Sequence, residues 1–67
     1  MRQVKVGDRI RLTHMPDDPD PLPAGSEGLV VAVMDDFMPQ IEVRWDSGRT
    51  LYLLPDIDSF EIIDRAE

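Results

Sequence analysis

The sequence predicts a small all-β domain, five short strands curled into a barrel, and three observations carry that expectation. Apolar and polar residues alternate with a period of two in several short runs. Turn-forming residues separate those runs at short intervals. No stretch carries a helix-period apolar stripe long enough to matter. The chain has 67 residues, room for one domain spanning 1–67. A chain this short buries only about 60% of the surface its unfolded form exposes. It has no cysteine and a single histidine, so neither disulfides nor a zinc site can supplement the core. Hydrophobic burial must do the work.

Near the start, Val4, Val6, Ile10 and Leu12 share one parity, and Lys5, Arg9, Arg11 and Thr13 share the other. Gly7-Asp8 interrupts the alternation as a turn or bulge, which leaves a strand from Arg9 to His14. From Met15 to Gly25 four of the six prolines fall within eight positions. Proline donates no backbone hydrogen bond and fixes φ, so this Pro/Asp-rich stretch after the first strand is a stiff loop. Glu27 to Met34 is β-branched and apolar on both faces, as a strongly bent central strand can be.

Asp35 to Pro39 reads as a turn, and Gln40 to Trp45 as a strand with Ile41, Val43 and Trp45 inward. Asp46-Ser47-Gly48 predicts a tight three-residue hairpin loop, with glycine supplying the positive φ that such a loop needs. Asp46 can accept backbone N–H bonds within it. Thr50 to Leu54 follows as a strand. A single 3₁₀ turn over Asp56 to Ser59 then leads into a last strand, Phe60 to Ile63. A short helix from Asp58 is the rival, but Phe60-Glu61-Ile62-Ile63 favours extended backbone. Gly25 and Gly28 bracket the entry to the second strand, where positive φ or close backbone approach would exclude a side chain.

The expected core is Val4, Val6, Ile10, Leu12, Val31, Val33, Ile41, Val43, Trp45, Leu51, Leu53, Phe60 and Ile62. Trp45, if buried, needs a partner for its indole N–H. Met15, Leu22, Phe37, Met38, Tyr52 and Leu54 are left over, either to close the ends of the core or to form an exposed apolar patch.

The net charge of −7 is unevenly spread. Residues 1–14 carry four bases against one acid, and residues 15–67 three arginines against thirteen acids. Such a surface repels nucleic-acid phosphates and anionic membranes and favours a basic protein partner. The longest apolar run, Leu29 to Met34, is far below the roughly 20 residues needed to cross a bilayer. The basic N-terminus has no long apolar stretch after it, so no secretory signal is read there and a cytoplasmic location is the default.

No catalytic constellation emerges. His14 is the only imidazole base, Ser26, Ser47 and Ser59 fall in turns, and no serine occupies a strand-to-helix elbow. The carboxylates lack a cleft in which their pKa values could be driven apart. Asp17, Asp18 and Asp20 offer hard oxygen donors, but alternate prolines and the absence of a bidentate glutamate depart from a calcium loop, so a solvated acidic loop is expected in place of a metal site. No cofactor is implied.

The runs Gly7-Asp8-Arg9-Ile10-Arg11-Leu12, Gly25-Ser26-Glu27-Gly28-Leu29-Val30 and Val43-Arg44-Trp45-Asp46-Ser47-Gly48 resemble the pattern of SH3-like barrels of the KOW and Mind-bomb-repeat type. Met15 to Pro21, Trp45 to Leu51 and Pro55 to Phe60 resemble more closely the bacterial and mobile-element family known as domain of unknown function 4314. One departure is Asp56-Ile57, where that family more often places glycine after the proline. The resemblance implies an SH3-like fold and no activity.

The functional expectation is a non-enzymatic protein-binding module. Its contact residues are Phe37, Met38, Tyr52 and Leu54, rimmed by the acids Asp17, Asp18 and Asp20, and a homodimer is a further option. The mobile-element flavour of the resemblance suggests an alternative, an inhibitor of a host defence protein whose acids imitate nucleic-acid phosphates. A third, nucleic-acid binding through Lys5, Arg9 and Arg11, is opposed by the charge.

Overall fold

A computed structural model describes residues 4–16 and 20–66. It is all β: β1 (Arg9–His14), β2 (Glu27–Asp35), β3 (Pro39–Trp45), β4 (Thr50–Leu53) and β5 (Ser59–Asp64). All pairings are antiparallel in one sheet of order β4-β3-β2-β1-β5. β1 to β4 form a meander, and β5 returns beside β1. β4 and β5 are the edges of the hydrogen-bonded ladder, with no pairing between them among the described residues.

Every strand sends residues to one core: Ile10 and Leu12 from β1, Val30 from β2, Ile41, Val43 and Trp45 from β3, Leu53 from β4 and Phe60 from β5. No second sheet or helix covers these side chains among the described residues, so the sheet must curl over its own inner face to bury them. Each fully buried large apolar side chain contributes about 2 kcal/mol. The largest is Trp45, whose Nε1 donates to the Leu51 carbonyl at 3.0 Å.

Three core expectations are corrected. Val6 is 57% exposed at the turn before Gly7, Val31 is half-buried, and Val33 is exposed at the end of the sheet. A bulge in β2 explains the second strand: Val30 pairs Val43 and Ala32 pairs Glu42, so Val31 has no partner. The extra residue reverses the parity. Val30 therefore takes the core position, and Val33 follows on the same face opposite Ile41. The places left are filled from the proline loop, which folds Met15 and Leu22 into the core.

Two glycines are explained by geometry. A Cβ on Gly28 would lie 2.6 Å from Val43 Cγ1 and 2.8 Å from the Arg44 carbonyl, so β3 closes on bare backbone there. Gly48 has φ +92° in the loop that Trp45 and Arg49 close, the left-handed geometry expected of it. After β4, Ile57 N and Asp58 N both donate to the Leu54 carbonyl, a single turn. The buried Asp58 in turn accepts from Leu54 N at its Oδ2, at 3.0 Å, and the C-terminal segment enters β5 as a strand.

Candidate functional site

The outer face of the sheet divides into two parts of opposite character. Across β5, β1 and β2 runs a line of alternating charge. Arg11 Nη1 donates to Glu61 Oε1 at 3.1 Å, and its Nε and Nη2 reach Glu27 Oε2 at 3.3 and 3.2 Å. Arg9 lies 3.5 Å from Glu27 and forks onto Asp46, with bonds of 3.1 and 2.7 Å. Asp46 thus spends its carboxylate on Arg9 and not on the turn it begins. The bond from Arg9 holds the Asp46 carboxyl below the usual carboxylate range, and Asp46 and Glu27 raise the guanidinium of Arg9.

Behind that line sits a feature the sequence did not reveal. Asp8 is fully buried and accepts from Ala66 N at 2.6 Å and Lys5 N at 3.0 Å. Its own backbone pairs with Lys5 and Val30. The bond from Ala66, with that from Lys5, holds its carboxyl below the ordinary value against the opposing effect of burial. It clasps the turn before β1 to the segment after β5. The only signal in the sequence is an aspartate in the turn Gly7-Asp8, which nothing there distinguishes from a solvated one.

The other part of the outer face lies over β2, β3 and β4 toward the turn between β2 and β3. The register sets Ala32, Glu42 and Tyr52 in one row across the three strands, and Met34 beside Gln40 in the next. Phe37 and Met38 stand in the turn beyond. Phe37 is fully exposed, and Met38 and Tyr52 are each 45% exposed. Leu54 is half-buried just past β4. Met34, Asp36, Phe37, Met38 and Gln40 line a shallow depression of about 180 Å³. A neighbouring cleft between Val4, Val33, Pro39, Ile41 and Pro55 holds about 20 Å³, little more than the room of one water. Asp35, Asp36, Glu42 and Asp56 surround this region, and no side-chain ion pair reaches them among the described residues.

The predicted contact residues are therefore brought together only in part. Phe37 and Met38 stand together in the turn before β3, Leu54 follows just past β4, and Tyr52 sits opposite Glu42 at the middle of β3. Asp20 does not join them: Arg49 Nη2 donates to its carbonyl at 3.1 Å and lies 3.6 Å from its carboxylate. That places it at the hairpin end of β3, about 20 Å of strand away from Phe37. Asp17 and Asp18 lie outside the described residues. The acids bordering the apolar cluster are Asp35, Asp36, Glu42 and Asp56, which the sequence offered only as turn or outward residues. Among the described residues, no group of three or more His, Cys, Asp or Glu side chains could hold a metal ion, and no helix is long and apolar enough to cross a membrane.

Fold and surface together define a small antiparallel β domain whose outer face is charge-paired on one side and, among the described residues, apolar with acids outside any ion pair on the other. A family model matches residues 1–63, and the chain belongs to that family, described as a domain of unknown function (DUF4314). No curated protein and no solved structure matches it.

Proposed function

We propose that this domain is a non-enzymatic protein-binding module, and that its partner presents a basic, amphipathic segment to the face bearing Phe37, Met38 and Tyr52. The observation that carries the reading is Phe37, an aromatic ring wholly in solvent at the tip of a short turn. It stands beside Met38, near acids that form no ion pair among the described residues. Exposed apolar surface rimmed by charge is characteristic of contact sites, and aromatic anchors dominate the energy of such contacts. The strand order supports an SH3-like scaffold, which supplies a platform and no activity.

The same geometry weighs against the rivals. Arg9 and Arg11 are each held between two carboxylates, which leaves little of the basic face to meet phosphates. The acidic-mimic reading leaned on the proline loop, and there Asp20 is engaged by Arg49. A cytoplasmic site of action fits the absence of cysteine.

Immobilised domain and its Phe37→Asp variant, both checked for folding by Trp45 fluorescence, test the reading on a cell lysate. The wild type should retain a basic protein that the variant releases. Equal capture by both would reject this face as the contact surface.

A further inference from the structure

The two edges of the sheet are finished differently. The β1–β5 ladder is irregular at two places, with Ile63 the extra residue in β5 at one and Thr13 the extra residue in β1 at the other, and β5 carries Glu61 and Asp64; bulges and charges are devices that keep an edge from pairing with another chain. β4, Thr50-Leu51-Tyr52-Leu53, has no charge, no proline and no bulge against β3. Among the described residues it packs beside no strand but β3.

Its free groups can be assigned. Trp45 N donates to Arg49 O at 3.3 Å, which makes Trp45 and Arg49 a hydrogen-bonded pair. Such pairs alternate along an antiparallel ladder. Val43–Leu51 and Ile41–Leu53 therefore bond across it, while Thr50 and Tyr52 turn their N–H and C=O groups away from β3. Among the described residues no hydrogen bond reaches those groups. At Leu54, the next position of that parity, Asp58 Oδ2 takes the N–H, and Ile57 N and Asp58 N take the carbonyl. The turn thus closes the edge at Leu54 and leaves it open at Thr50 and Tyr52.

We propose that β4 receives an extended segment of another protein as a sixth strand, apolar along Thr50 to Leu53 and basic at the end beside Leu54. The inference rests on the protein-binding reading and specifies how the partner docks. Backbone groups supply the bonds in strand addition, and neighbouring side chains supply the selectivity. Charge sets the direction. Arg44 is paired in register with Thr50 at the hairpin end, whereas Glu42, Asp35, Asp36 and Asp56 gather toward the other. A second copy of the chain, at a net charge of −7, is opposed by like-charge repulsion.

The probes are two capped peptides of alternating valine and threonine with two lysines at one end, one in each chain direction, each with a counterpart N-methylated at alternate backbone nitrogens. Amide exchange at Thr50 and Tyr52 should slow at least tenfold with one unmethylated peptide. The methylated counterpart and the domain variant Thr50→Pro should each weaken binding at least tenfold. Proline is tolerated on an edge where its missing N–H would face solvent, and Trp45 fluorescence verifies that the variant is folded. Shifts at Phe37 and Met38 without protection at Thr50 and Tyr52 would overturn strand addition and leave the contact face standing. No response at either place would overturn both. Protection that rises with domain concentration in the absence of peptide would replace the proposed partner with a second copy.

Discussion

Along β5 the sheet ends in a bulged strand whose Glu61 is tied to Arg11, and behind it Asp8 clasps the backbone of Ala66; along β4 it ends in four uncharged residues near acids that no ion pair reaches among the described residues. In the first region Arg11, Glu61 and Asp8 spend their side chains on holding strands and termini together. The second leaves backbone donors, carboxylates and an aromatic ring facing water. A protein that needed both halves only for stability would have little reason to finish them so differently. The difference locates cohesion in one half and availability in the other.

Removing the clasp tests the cohesive half most severely. Asp8→Ala leaves the backbone N–H groups of Lys5 and Ala66 without an acceptor, and should cost about 3 kcal/mol. Urea unfolding followed by Trp45 fluorescence measures it, and a loss comparable to that of a surface substitution would contradict the assignment. The same carboxylate predicts a pH dependence. Its folded-state pKa lies below the unfolded value, so its contribution is fully present above about pH 4 and is lost as pH falls through the folded pKa. Asp46, lowered by Arg9, acts with the same sign. Asp8→Asn should flatten the acid limb of the stability profile.

Breaking the ion-pair line is a milder intervention. Arg11→Gln should lower the urea midpoint slightly at low salt and converge with the wild type in high salt, because exposed pairs are weak and screened. A gap that persists in high salt would mean that packing, not charge, is what Arg11 supplies. At the other side of the comparison, Phe37→Ser should leave stability within about 0.5 kcal/mol of the wild type. A clear loss of stability would show that the ring supports the fold and count against the proposal that it is a contact.

The contrast between regions also explains what could be read from the sequence. β1 was legible to the residue because Arg9 to His14 alternates cleanly, and the Asp46 to Gly48 loop because its glycine had one use. Val30-Val31-Ala32-Val33 gives no parity to read, so the bulge and the true inward residue were hidden. Met15 and Leu22 reach the core from a loop, where periodicity says nothing. The ion-pair line depends on register, which puts Glu61 opposite Arg11 across fifty positions of chain. The exposure of Phe37, Met38 and Tyr52 was legible because they were left over once the core was filled. The position of Asp20 beside Arg49 at the hairpin was not legible, because it depends on the fold.

The pairing of β1 with β5 has a consequence for synthesis. Ile10 meets Ile62, so the first strand is without its outer neighbour until nearly the whole domain has been made. A nascent chain would carry the β3–β4 hairpin early, since its strands are joined by a tight loop. β1 would stay exposed along one side until β5 emerged. The buried Asp8, whose acceptor role depends on Ala66, would then be among the last groups satisfied, making β5 docking the step that commits the domain to its native state.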